Sequence, residues 1–434
     1  MEPESSDVGL CFHEKEIHKP ATNGSEAGLR KESTDHIEHL LDLNHQNYSI
    51  LYNNLRFHNH TPHFLGSTYL LDSSTEHLDA IYNDAVYRDN LEPWQSSPGG
   101  ITPSNFRQYI GRKEYQRAWV DFFEQQLQAG DHGSGWQNVG IDFLLNDSQT
   151  LLHGLFADVG HPLIHLGYAL ELDSPVLASE ALGLAATCYD RQLSGLLTTT
   201  VSQSSQPTGD LFQIFSNVSN DSRLPTFDYP GDDNLPFILT DQNHLATIVS
   251  YLHSWTITNP VAQLGAARRL AALVLISTSP HLGGHGYDFF LVHILTTIHA
   301  VGVFTPHLPA QHHATVLKLW LAVALLVYTA QNRRRLDPAY ITGYDLQGHD
   351  WQYVRKQALE GPHASDAHFV KACRAWIVAG EGESDDDEWY LKCAVRFATE
   401  FEGWGGFRLD GPEAEEVCRH REKDGIHVMK VRGT

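Results

Sequence analysis

The chain is poor in sulfur. Its five cysteines (Cys11, Cys188, Cys373, Cys393 and Cys418) are odd in number and widely spread over 434 residues. That pattern argues against a disulfide framework or a zinc knuckle and suits a reducing compartment. Two methionines are too few for a Met-rich adaptable binding surface. Basic residues are also scarce: 30 Lys and Arg stand against 53 Asp and Glu, a net charge of -23. A surface that negative repels phosphate backbones and anionic headgroups, so the expected partners include no nucleic acid and no membrane surface. The longest apolar run, between Lys318 and Arg333, reads as too short to cross a bilayer comfortably. The acidic start MEPESSDVGLCFHEKE lacks the basic-then-apolar order of a signal peptide. The expectation is a cytoplasmic protein with no membrane insertion.

Several motifs are missing as well. No GxGxxG follows a strand, and GxxxxGK[ST], HExxH and GxSxG are absent; HLGGHGYD (281–288) precedes a helix but follows no convincing strand. A Rossmann site for a nicotinamide or flavin is therefore not expected. If redox chemistry occurs, a metal or an unconventional cofactor site must carry it.

What is present in excess is histidine, at 27 residues. It is the commonest metal ligand and the residue best suited to proton transfer near neutral pH. Hydrophobic content of 41% and aromatic content of 10% are globular values. From about residue 35 to 330 apolar residues recur at three and four, as in EYQRAWVDFFEQQLQ (114–128), SEALGLAATCYDRQL (179–193) and TVLKLWLAVALLVYTAQ (315–331), a helical period. The expected fold is mostly α: a loose polar arm over residues 1–35 and a single large helical domain with long loops over 36–434. The Ser/Thr/Gln-rich stretch 193–222 reads as an exposed connection or lid. EGESDDDE (381–388) reads as a solvated acidic loop.

Position decides which histidines matter. In RFHNHTPHFLGSTYLL, His58, His60 and His63 flank a helix start: Pro62 suits the first turn, Thr61 is placed to cap it, and His60 lies just before it. In HPLIHLGYALELD, His161 and His165 are i,i+4 on one helix face, with Tyr168 next along it. That is a separation at which two imidazoles reach one ion. In YDFFLVHILTTIHAV, His293 lines up with Thr296, Thr297 and Ala300, while His299 falls on another face. In SDAHFVKACRAW, Ser365 or Asp366 is placed to cap a helix on which His368 and Lys371 are i,i+3 neighbours. Each has a plainer reading. His293 alone is a core histidine bonded to a carbonyl, HNHTPH a surface cluster, Lys371 half of an ion pair, and the aromatics simply core. Four segments that each carry polar groups into apolar stretches are nevertheless best explained by a shared site, since burying such groups unpaired costs several kcal/mol. Many imidazoles with an oxygen donor suit iron, manganese, copper or zinc rather than magnesium or calcium. A buried Lys371 of lowered pKa would react with carbon dioxide to give a carbamate, a carboxylate-like ligand.

At these segments the sequence resembles the questin oxidase-like family of fungal aromatic polyketide enzymes. The resemblance runs from about residue 40 to 400 and is carried by FHNHTPH (57–63), TPSNFRQYIGRKEYQRAWVDFFEQQL (102–127), HPLIHLGYALELDSPVLASEAL (161–182), DFFLVHILTTIHAV (288–301) and DAHFVKACRAW (366–376). It implies a mostly α oxygenase that opens an anthraquinone-type ring with O2, and it places family histidines at His60, His63, His161, His165, His293 and His368, with a lysine at Lys371. Combined with the residue chemistry, it gives this assignment: His63, His161, His165, His293 and carbamylated Lys371 hold Fe(II), and His60 and His368 move protons or orient ligands. Tyr168, Phe289 and Thr297 contact substrate, and Phe290 and Trp255 are further candidate walls. Two alternatives stay open. One is a metal-free Baeyer–Villiger monooxygenase using NADPH, a cofactor the family is associated with but for which no binding motif is present. The other is a non-enzymatic polyketide-binding protein.

Overall fold

The computed structural model describes residues 24–407 apart from 89, 130–134, 146–149, 200–205, 284–285 and 383–386. The fold is mostly α. Among the described residues the only sheets are two two-stranded pairs: Leu51–Tyr52 with Phe57–His58, antiparallel, and Tyr287–Asp288 with Trp404–Gly405, parallel. One contiguous apolar cluster takes in residues from Ile37 to Phe407. The first described helix, Gly24–Asn47, includes residues 24–35, so this part of the expected loose arm is helical. The 193–222 stretch is likewise not all connection. It holds the end of helix Arg191–Thr198 and the whole of Leu211–Asn220, each started by an aspartate that accepts two backbone N–H bonds. The acidic run 381–388 lies partly outside the described residues. Its ends close helix Ala367–Gly382 and open helix Asp387–Glu400.

The apolar segment Ala310–Ala330 is, by length and composition, long enough to cross a membrane, longer than the charge-bounded run suggested. Its most apolar window is 83% buried inside the fold, the behaviour of a core helix.

Four helices position the site. Helix Thr61–Tyr69 packs on helices His161–Glu171 and Ala367–Gly382, and helix Val292–Phe304 packs on the same two. The two small sheets feed these helices. The first hairpin turns through Asn53, Asn54 and Leu55, all at positive φ, pairs Leu51 with His58, and delivers the chain to His60. The second pairs Tyr287 with Trp404, after which Asp288 accepts the N–H groups of Phe290 and Leu291, so the strand turns directly into the helix carrying His293.

Candidate metal centre

The start of the Thr61 helix differs from the expected capping. His60 itself is the N-cap and makes no side-chain cap bond, and Pro62 sits in the first turn. Thr61 is the first helical residue, and its N–H is taken by the side chain of Asn59. The Ala367 helix follows expectation: Asp366 Oδ1 accepts the N–H groups of His368 and Phe369, and its Oδ2 accepts the Trp404 indole. The helix that begins at His161 is approached through Asp158, Val159 and Gly160, at φ of 44°, 53° and 87°. Left-handed backbone is costly for a β-branched valine and persists only where surroundings enforce it. Thr297 is one enforcer: its hydroxyl donates to the Val159 carbonyl at 3.2 Å. The result aims the Asp158 carbonyl at His161 Nδ1, which donates to it at 2.6 Å.

His60, His161, His293 and His368 each offer a ring nitrogen, and these four atoms all lie within 4.8 Å of one another. The rings form a closed circuit, with centroid separations of 5.0 Å (His60–His161), 4.7 Å (His161–His293), 5.0 Å (His293–His368) and 4.7 Å (His368–His60). Burial, reinforced by mutual repulsion and the Lys371 charge, holds His60, His161 and His368 well below the ordinary histidine range and His293 at about 3. All four are neutral at pH 7, with one N–H and one lone pair each. His161 and His293 spend their Nδ1–H on backbone carbonyls, the latter on Phe289 at 2.9 Å, which leaves both Nε2 lone pairs facing inward. Nε2 of His293 and of His368 has no hydrogen-bond partner, and His60 Nε2 stands 3.1 Å from His161 Nε2. Buried ring nitrogens without partners, as at His293 and His368, are costly unless a cation fills the centre. The donor set fits a transition metal that prefers imidazole, and the carbonyl bonds behind His161 and His293 are the kind that fix a ligand's tautomer. Lys371 is fully buried, and its Nζ has no partner; burial pushes it down to about 7. The ion-pair reading of this residue is therefore not observed.

His161 and His165 share one helix face but are not brought to one centre. His165 donates from Nε2 to Glu180 at 2.9 Å, and its Nδ1 accepts from His63 Nε2 at 3.0 Å. Both nitrogens are occupied, so His165 and His63 form a separate buried file rather than part of the four-imidazole circuit. Conversely, His60 and His368, expected to move protons, belong to that circuit. Tyr168 does not wall the large cavity: its hydroxyl meets Ser67 at 2.6 Å, its ring stacks on His63, and it faces a small void shared with Glu171, His299 and Lys371. Thr297 supports the His161 turn rather than a substrate, and Trp255 is buried against Lys318, away from the site. Phe289 and Phe290 do line the large cavity. His299 joins Arg374 and Glu171 on another face, and His36 meets Asp79 at the surface.

That cavity has a volume of about 440 Å³ and reaches all four circuit histidines. Its walls are mostly apolar, including Phe156, Phe289, Phe290, Val323 and Leu326, with Arg56, Lys113 and Asp158 among its polar groups. Its volume falls within the range typical of small-molecule sites. Glu180 was missed by sequence reasoning. Its only signal was a lone carboxylate in the apolar helix Pro175–Thr187; there it is 2% exposed.

A profile of the family described as questin oxidase-like matches residues 57–376. Among named relatives, oxidoreductase AflY of Aspergillus parasiticus is 26% identical, the alignment covering 92% of this chain and 80% of the relative. Questin oxidase of Aspergillus terreus is 24% identical, covering 81% of both chains. Baeyer-Villiger oxidase ptaJ of Pestalotiopsis fici is 23% identical, covering 80% of both. The matched span contains every residue of the four-histidine circuit and Lys371, and the chain belongs to the questin oxidase-like family of oxidoreductases.

Proposed function

We propose that the protein is an oxygenase that uses O2 to cleave a ring carbon–carbon bond of an anthraquinone-type polyketide, with Fe(II) held by His60, His161, His293 and His368. The observation that carries this reading is the convergence of one ring nitrogen from each of His60, His161, His293 and His368, within 4.8 Å of one another, beside a mostly apolar cavity. Lys371, buried and unpartnered, supplies an oxygen ligand once its amine has taken up carbon dioxide as a carbamate. Iron, when bound, supplies the one-electron chemistry by which O2 becomes reactive. The protein's own groups do the rest. Phe289 and Phe290 present flat apolar surface to an aromatic substrate. The apolar walls exclude water, and the carbonyls of Asp158 and Phe289 fix the tautomers of His161 and His293.

Elemental analysis of anaerobically purified protein, together with O2 uptake on candidate anthraquinones in their hydroquinone form, tests the reading. About one iron per chain and iron-dependent uptake are expected, and full activity in metal-free protein overturns it. A carbamate on Lys371 is checked without turnover: protein equilibrated with 13C-labelled carbon dioxide should show one carbamate carbon resonance that Lys371→Met abolishes. The relatives named Baeyer-Villiger oxidases favour a second reading, oxygen insertion beside a carbonyl with NADPH as reductant and no metal. Strict NADPH dependence in chelated enzyme would select it.

A further inference from the structure

A file of buried side chains that the four-imidazole circuit does not use runs from beside that circuit to the surface. His63 packs edge-on against His60, with centroids 5.5 Å apart, and its Nδ1 is buried with no partner. Its Nε2 reaches His165 Nδ1 at 3.0 Å, and His165 Nε2 reaches Glu180 Oε2 at 2.9 Å. Glu180 Oε1 accepts from His45 Nδ1 at 2.8 Å, and His45 Nε2 donates to Glu124 at 3.1 Å. Glu124 is 29% exposed, against 2% for Glu180 and 1% for His165. Five helices contribute to this line, and Arg117, paired with Asp121 at 2.6 Å, lies near its outer end. Two imidazoles on one buried carboxylate is an expensive arrangement for structure alone.

We propose that His63, His165, Glu180, His45 and Glu124 form a proton reservoir coupling the reaction site to solvent, with one positive charge shared between His45 and His165 around the Glu180 carboxylate. The role rests on the oxygenase reading for its chemistry but not for its existence. The charge at rest is assigned to His45, whose two ring nitrogens both face carboxylates, Glu180 at 2.8 Å and Glu124 at 3.1 Å. A proton released at the site bonds to His63 Nδ1, and the Nε2–H of His63 breaks as that proton bonds to His165 Nδ1. His165 becomes the imidazolium while its Nε2–H stays on Glu180. His45 then gives its Nε2 proton to Glu124 and on to water. One proton enters and one leaves, the charge beside Glu180 is unchanged, and no electrons move. Run backwards, the same file returns a proton to the product. His165, Glu180 and His45 act through His63 and are positioning residues.

Two variants and two readouts test this in the full-length, iron-loaded protein. Glu180→Gln should lower kcat about 100-fold, and His45→Gln about 10-fold, within the range of general acid–base effects, with KM and iron content unchanged. Both should enlarge the solvent deuterium isotope effect on kcat, which a merely structural role leaves alone. Wild-type kcat and isotope effect in folded His45→Gln overturn the proposal. The activity-free readout is the downfield proton spectrum with histidine ring nitrogens labelled. The His165 Nε2–H resonance should shift when His45, 120 positions away on another helix, is replaced by Gln. A resonance that does not move overturns the coupling whatever the enzyme's substrate, whereas a shift in a protein that takes up no O2 condemns only the oxygenase reading.

Discussion

Lys371 shows how far a single residue's setting departs from its ordinary chemistry. An ammonium in a fully buried position with no hydrogen-bond partner is among the costliest groups a core holds. Its presence makes sense only if the amine is used. In metal-free, carbon-dioxide-depleted protein, Lys371→Met should therefore stabilise the fold, by about 1–4 kcal/mol on the scale seen when buried ionic groups give way to apolar ones. The same variant should lose O2 uptake when iron is supplied. Urea unfolding and oxygen-electrode assays measure the two effects, and a destabilised apo variant would show that the lysine holds the core together. The circuit histidines are expected to behave oppositely: His293→Ala should reduce bound iron below half and activity by at least about 100-fold, with elemental analysis as the deciding measurement.

At the scale of the element, the turn before His161 carries the geometry. A Cβ at Gly160, whose φ is 87°, would lie 2.5 Å from the Thr297 hydroxyl oxygen. Gly160→Ala must therefore displace Thr297 or straighten the turn, and either change moves the Asp158 carbonyl off His161 Nδ1. The expected outcome is a loss of about 1–3 kcal/mol in thermal unfolding, from strain in the left-handed region, together with weaker iron retention on dialysis. Undiminished iron retention would show that the carbonyl bond does not set the tautomer. This scale is also where helical-face reasoning reached its limit. Spacing places His161 and His165 on one face, yet that face meets two different neighbours. Its His161 end meets His60 and His293, and its His165 end meets His63 and Glu180. Periodicity supplies the direction of a side chain and says nothing of what stands opposite it.

For the molecule as a whole, His293, Glu171 and Glu180 act in one direction as pH falls, while His45 and Asp288, both raised, act in the other. His293, held at about 3, starts from 6.5 in the unfolded chain, and Glu171 and Glu180, held at about 2, start from 4.5. Burial alone would raise both carboxyls. Arg374 and His299 outweigh it at Glu171, as His165 and His45 do at Glu180. A group whose folded pKa is depressed contributes its stability above the unfolded value and loses it as pH falls toward the folded one. Metal-free protein should therefore weaken first between pH 6.5 and 3 as the unfolded state takes up histidine protons. A further loss of about 3 kcal/mol for each glutamate should follow between 4.5 and 2. Denaturant midpoints measured across this range check it, and a flat profile from pH 6.5 to 5 would show the histidines to be less buried than their packing implies.

The mostly α character follows from local pattern, because an apolar period of three to four residues is the period of a helix. The family, too, is carried by the sequence, through HPLIHLGY and its companion segments. Each ligand-capable histidine was legible as well, since an imidazole in an apolar run is conspicuous one residue at a time. The grouping came from helix packing: which four imidazoles close a circuit, which two form a file to Glu180, and that Tyr168 and Thr297 support rather than line the cavity. The physical reason is that coordination and proton transfer depend on distances of a few ångströms between residues a hundred or more positions apart, and those distances are set by how helices pack, which no local pattern encodes.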